Sequence, residues 1–207
     1  YYNKYSDTLI TITSFIGYLD FLCNIAYVSK TNGYYKPEID ARDFSYFNAK
    51  DLRHPIIEII HDKVKYVPND VKLGIDQHNG MLLYGVNAVG KSSLMKSIGI
   101  AIIMAQSGFF VPAKSLVYSP YKQLFTRISN NDNIFKGQST FAVEMSELRS
   151  ILKRTDHYSL VLGDELCSGT ETTSGLSIVT AGVLRLSSKN SSFIFATHLH
   201  KLSEMEE

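Results

Sequence analysis

The chain has no tryptophan, and its 207 residues include only two cysteines. Cys23 and Cys167 match no zinc or thioredoxin-type spacing, so they read as unpaired thiols of a reducing, intracellular compartment. An excess of charge of one sign is also lacking: 21 Lys and Arg stand against 20 Asp and Glu, a net charge of +1. That balance argues against a surface that binds nucleic acid by itself. No signal or transit pattern, internal repeat or low-complexity tract is present. Apolar residues are plentiful at 44%, with 13 Tyr and 11 Phe, enough for one soluble domain with a sizeable core. Abundant Tyr, Phe, Asn, Ile and Lys without Trp hint at an A/T-rich coding genome, that of an organelle or a virus. A start at Tyr1 without an initiator Met, and an end at Glu207 shortly after a strand, are read as signs of a longer parent protein.

The chain is organised around residues 81–93, MLLYGVNAVGKSS. The apolar run Met81–Tyr84 feeds into Gly85-Val86-Asn87-Ala88-Val89-Gly90-Lys91-Ser92, which fits the phosphate-binding pattern G-x-x-x-x-G-K-[ST]. A Gly-poor stretch with Leu94, Met95, Ile98, Ile100, Ile102 and Ile103 follows as a helix. Strand, glycine loop and helix are the context this motif requires, because loop and helix N–H groups together form a nest for phosphate oxygens. Gly85 and Gly90 allow the turn and the close approach of backbone to ligand. Lys91 is expected to reach the β- and γ-phosphates, and Ser92 to ligate Mg²⁺. A chance match would arise roughly once in a hundred chains of this length, and the flanks make chance the poorer reading.

Residues 1–32 read as a helix. Ile12, Phe15, Ile16, Leu19, Leu22 and Ala26 recur at spacings of three and four, giving one apolar face expected to be buried against neighbours. The segment Leu9–Val28 is apolar enough to raise a membrane span. Asp20 and Asn24 lie well inside it, however, and a central Asp costs about 2.5–3.5 kcal/mol in a bilayer. Asn32-Gly33 ends the helix, and an extended connector leads from Lys36-Pro37. Residues 52–58 and 66–70 read as turn-rich. Short β pieces are expected at Phe109–Val111, Ser115–Tyr118 and Gln123–Ile128, and helices at Thr140–Arg154 and Ser174–Ser187. Buried strands are expected at Tyr158–Gly163 and Phe193–Ala196. Strands alternating with helices indicate an α/β fold with a parallel sheet.

The strand Ser159–Gly163 closes on Asp164-Glu165. Asp164 is placed to hold the Mg²⁺ shell, and Glu165 to orient or deprotonate a water that attacks the γ-phosphate. Alone the pair is weak, because such pairs are usually strand ends meeting solvent. Following a phosphate loop, it gains weight. His198, at the end of the next strand, is a candidate γ-phosphate contact, while His200 reads as solvent-facing.

At this point four elements occur in order: Gly85–Ser93, Gly137-Gln138-Ser139-Thr140-Phe141 with Val143-Glu144-Met145, Asp164–Thr170, and Ala196-Thr197-His198. Together they resemble the ATPase domain of the MutS family of DNA mismatch-repair proteins. Arg53-His54-Pro55 and Tyr66–Asp70 resemble it too, so the likeness runs from about residue 45 to the end. Residues 1–44 resemble the returning end of the family's core and lever helices. The likeness implies an ABC-type P-loop NTPase sheet with flanking helices, binding ATP and Mg²⁺ in a sandwiched dimer with a second MutS-like subunit. It further implies that Tyr66 stacks on adenine, that Gly85, Asn87, Gly90, Lys91, Ser92 and Ser93 cradle phosphate, and that Ser139 reaches the partner's γ-phosphate in trans. Mismatched double-stranded DNA would be held by segments of the parent outside this chain. The plainer alternatives are a surface aromatic in a turn for Tyr66 and a helix N-cap for Ser139, the latter compatible with the trans role.

Departures mark a divergent branch, similar to those of large viruses or octocoral mitochondria. Val86, Ala88, Val89 and Ser93 stand where the family usually has Pro, Met, a second Gly and Thr. Cys167 and Ser168 stand where Gly and Arg are usual, which bears on signalling between subunits more than on nucleotide binding. Two other readings stay open: a non-catalytic, nucleotide-gated dimerisation module, and another ABC-type DNA-repair or chromosome ATPase. Intact Glu165 and His198 weigh against the first, and the absence of flanking heptads against the second.

Overall fold

A computed structural model of the chain describes residues 2–60, 66–76, 78–86, 89–127, 140–164, 166–167 and 172–197. Helix α1 (Tyr2–Thr31) is followed by β1 (Glu38–Ile39), β2 (Tyr46–Leu52), the short α2 (Ile57–Ile60) and β3 (Asn69–Leu73). Then come β4 (Gly80–Tyr84), α3 (Lys91–Gln106), β5 (Ser115–Ser119), β6 (Gln123–Arg127), α4 (Thr140–Arg154), β7 (Ser159–Asp164), α5 (Thr172–Ser188) and β8 (Ser192–Thr197).

Four of the strands form the expected parallel sheet, in the order β4-β8-β7-β6. Its central strands are buried on both faces, which is why they read as unbroken apolar runs. Alternation still decides which side each residue serves. Leu160, Leu162, Ile194 and Ala196 join α3 through Met95, Ile98 and Ile102. Val161, Phe193 and Phe195 join Val179 and Leu186 of α5 on the other side. Each of the larger side chains contributes about 1.5–3 kcal/mol by leaving water. Gly163 makes room for this packing: a Cβ there would lie 2.6 Å from the Phe195 ring.

A second sheet, β1-β5-β2-β3, covers the far side of α3, with β2 antiparallel to both β3 and β5. Phe47, Ala49, Leu52, Val71, Leu73 and Leu116 from this sheet close over the helix. The layers therefore run mixed sheet, α3, parallel sheet, then α4 and α5. The sequence reading leaves β2 unassigned and takes the start of β3 for turn. Asp51, at φ 49°, puts a register shift between Ala49 and Leu52 that breaks the period of two. Of the expected β piece at Phe109–Val111, only an isolated bridge between Tyr35 and Val111 forms.

Helix α1 ends where Asn32-Gly33 predicts. Gly33 takes φ 60°, the Tyr34 N–H donates to Ser29 O at 2.8 Å, and the Gly33 N–H donates to Lys30 O at 3.4 Å, a Schellman closure. The expected burial of its apolar face is not found. Ile12, Phe15, Ile16, Leu19 and Leu22 are all exposed. The reason is visible in the wheel: at 100° per residue, Ile10, Phe21 and Val28 lie roughly opposite Ile12, so no single face gathers the apolar residues. Thirty residues at 1.5 Å each extend about 45 Å, and the helix meets the body in the Phe21–Phe109 edge-to-face pair at 5.7 Å. Tyr5–Thr31 is, by length and composition, apolar enough to cross a membrane.

Candidate nucleotide site

Three parallel strands bring their C-terminal ends to one edge. Tyr84 of β4 is level with Thr197 of β8, and Ala196 of β8 with Asp164 of β7. Two inter-strand steps of about 4.8 Å separate β4 from β7. The glycine loop leaving β4 and the carboxylate ending β7 therefore share an edge with about 10 Å between their strands, and Thr197 stands between them.

Gly85 at φ 152° and Gly90 at φ 99° hold conformations that side chains rarely adopt. Gly90 is also the N-cap of α3, and among the described residues no side chain caps that terminus. The first helical bond runs from the Leu94 N–H to Gly90 O at 2.9 Å, so the N–H groups of Lys91, Ser92 and Ser93 precede the ladder. No acidic side chain occupies the first turn. This uncapped terminus with its positive dipole end suits an anion. The Lys91 ammonium donates to Gly85 O at 2.7 Å and Val86 O at 2.9 Å, folding back across the loop. Val86 and Val89, two of the four departures from the usual loop, are both exposed, so neither is needed by the core.

Asp164 is half-buried, and its Oδ1 is buried without a hydrogen-bond partner among the described residues. A buried acceptor left over in this way fits a cation or its water shell. Among the described residues no group of three or more His, Cys, Asp or Glu gathers. A donor set of one carboxylate, the Ser92 hydroxyl and ligand oxygens would match the habits of Mg²⁺.

Tyr66 lies against α3. Burial pushes its phenol up, and a hydrogen bond to Ser97 acts the other way. Ser97 is six residues beyond Lys91, about 9 Å along the helix, so Tyr66 flanks the helix that carries the loop. Upstream, the buried His54 caps α2: its Nδ1 accepts N–H groups of Ile56 and Ile57, each at 3.3 Å. That role requires the neutral ring, and burial, followed by the Lys96 charge, holds its pKa below the ordinary value. Arg53 turns the other way, its Nη2 donating to Asn32 O at 3.1 Å and Gly33 O at 3.2 Å at the end of α1. Arg53 Nη1 also pairs with Glu58 at 3.4 Å.

The structure thus brings Gly85, Gly90, Lys91, Ser92, Ser93 and Asp164 to one edge, with Tyr66 beside the same helix. Asn87, Ser139, Glu165 and His198 lie outside the described residues. One contact was given no role in the sequence reading. Glu144, buried on α4, accepts the Cys167 N–H at 2.9 Å. A carboxylate among Phe141, Val143, Met145 and Leu148 was the available signal, since such a group inside an apolar run needs a partner.

The family model described as MutS domain V matches residues 81–207. A DNA mismatch repair protein mutS homologue of Acanthamoeba polyphaga mimivirus is 43% identical over the whole chain. The mitochondrial DNA mismatch repair protein mutS homologue of Sarcophyton glaucum is 35% identical over 99% of it. DNA mismatch repair protein MutS of Caldicellulosiruptor saccharolyticus is 40% identical over 94%. The chain spans only 21–23% of the length of these three relatives. Viral and mitochondrial relatives both occur, as the departures in the loop anticipated. A family match over more than half of the chain, with relatives similar along nearly all of it, means that the chain belongs to the MutS family of DNA mismatch repair proteins.

Proposed function

We propose that this chain is the ATP-binding and ATP-hydrolysing region of a MutS-like protein, working as one half of a dimer with a second MutS-like subunit. The observation that carries the reading is the shared edge: an uncapped helix N-terminus with its glycine loop, facing a carboxylate with an unpartnered oxygen. Lys91 leaves the loop carbonyls for the β- and γ-phosphates, and the loop and helix N–H groups take the remaining oxygens. Mg²⁺, when bound, offsets phosphate charge, with Ser92 and Asp164 as its protein ligands. Glu165 takes a proton from the attacking water, and His198 contacts the γ-phosphate. Tyr66 stacks on the base, and Ser139 completes the neighbour's site in trans. Turnover is coupled to the binding of mismatched DNA and to clamp formation, through segments of the full-length protein beyond this chain. Residues 1–44 belong to the lever end and residues 45–207 to the ATPase domain, in an intracellular protein.

The experiment pairs two variants of the full-length protein. Lys91→Ala should abolish most binding of a fluorescent ATP analogue, because no other cation replaces it at the phosphates. Glu165→Gln should bind normally yet turn over roughly a hundredfold more slowly, as loss of a general base predicts. Unchanged affinity in the first variant would sink the phosphate-loop assignment. Absence of turnover in the wild type would favour a nucleotide-gated dimerisation module instead.

A further inference from the structure

The turn after β7 is held from two sides. Cys167 stands in the left-handed region at φ 60°, a conformation that L-residues rarely adopt. Its N–H is bound by Glu144 from α4, and α5 closes in behind it: a Cβ on Gly175 would lie 3.2 Å from the Cys167 Cβ. The thiol is pushed up to about 11 by burial and then by the Glu144 carboxylate, which makes it a packing group rather than a reactive one. Glu144 lies just over one turn into a helix whose first residue, Thr140, directly follows Ser139.

We propose that Glu144 is a positioning residue, whose carboxylate ties the backbone of Cys167, two residues after Glu165 in the sequence, to the first turns of α4. The proposal rests on the ATPase reading, in which α4 begins at the group that touches the partner's nucleotide. The chain of parts is short. Glu144 sits on α4, and Cys167 is two residues from Glu165 in the sequence. A shift of α4 on dimer closure is passed to the catalytic turn through one charge-assisted hydrogen bond, in a setting with little slack. The cavity beside it, lined by Glu144, Leu148, Gly163 and Leu166 among others, measures about 10 Å³, near the lower limit for a single water. Water therefore cannot easily replace the carboxylate while the side chain is present.

The test uses Glu144→Ala and Glu144→Gln in the full-length protein. Turnover, KM for ATP, affinity for a fluorescent ATP analogue and amide exchange at Cys167 are measured for each. In Glu144→Ala, kcat should fall roughly ten- to a hundredfold while analogue affinity stays within about twofold, the pattern of an interaction that matters in the transition state. Exchange at Cys167 should accelerate. Glu144→Gln keeps an oxygen that can accept the same N–H, and should restore most of kcat and of the protection. Unchanged kcat in the Ala variant overturns the proposal. So does an equal loss in both variants, or a fall in affinity that tracks a fall in thermal midpoint. If the wild type shows no turnover, the ATPase reading fails separately. The lock is then judged by exchange alone, and unaltered Cys167 protection in Glu144→Ala rejects it.

Discussion

Helices α1 and α3 are both rich in apolar residues, yet one is exposed along most of its length and the other is the centre of the core. Ile16 is 59% exposed, whereas Ile98 is fully buried. The difference is not in how apolar the segments are. It lies in what surrounds them: α3 has a sheet on each side, and each sheet presents the alternating apolar face that a helix can fill. Towards its C-terminal end α1 meets the body through the Phe21–Phe109 pair, the Arg53 bonds and the closure at Gly33. Apolar composition states that a segment should leave water; it does not name the surface that will receive it.

The widest gap between the two helices should appear when a charge is placed on each. Ile98→Asp buries an unpaired carboxylate between two sheets and should destabilise the protein by about 3–5 kcal/mol. Ile16→Asp in this 207-residue chain should change stability by less than about 0.5 kcal/mol. Urea unfolding followed by circular dichroism measures both, and equal losses would show that α1 is covered in solution.

A gentler pair tests the same contrast without charge. Nothing lies within 4 Å of a Cβ added at Gly17, while one at Gly99 would meet Leu162 Cδ1 at 3.0 Å. Gly17→Ala should therefore stabilise α1 by about 0.5–1 kcal/mol. Gly99→Ala should lose that gain to the crowded contact with β7. A shift of thermal midpoint upward by the same amount in both variants would mean that α3 and β7 are less tightly apposed than the geometry requires.

The smallest effect concerns pH and the adjacent residues Arg53 and His54, one serving α1 and the other facing Lys96 of α3. His54 has its pKa lowered in the folded state, by burial first and Lys96 second. Its contribution is therefore fully present above the ordinary value of about 6.5 and is lost as pH falls through the lowered folded value. Thermal midpoints taken from pH 8 downwards should show the wild type losing stability relative to His54→Asn, whose side chain can cap α2 without titrating. Parallel curves would mean that the ring is not the neutral cap described.

Legibility tracked the range of the interactions involved. Gly85–Ser92 could be read because loop, cap and helix start are neighbours in sequence, and Asp164 because a buried strand ends there in a carboxylate. Strands β7 and β8 were plain for a related reason: burial on both faces leaves an uninterrupted apolar run. Strands β2 and β3 were not, because the bulge at Asp51 scrambles the alternation and their partners lie elsewhere in the chain. The contact between Glu144 and Cys167 spans 23 positions, and no local pattern announces it.

What the sequence by itself determined is the set of groups that must be satisfied nearby: the glycines of the loop, the uncapped start of α3, the Schellman end of α1 and the apolar strands. Only the tertiary structure decided which of these meet. Parallel pairing of β4, β8 and β7 carried the loop and Asp164 to one edge, two strands apart. The layering of two sheets gave α3 a place to be buried and left α1 without one. The physical reason is that short-range rules fix dihedral angles and hydrogen-bond needs within a few residues, whereas burial depends on a surface assembled from distant parts of the chain.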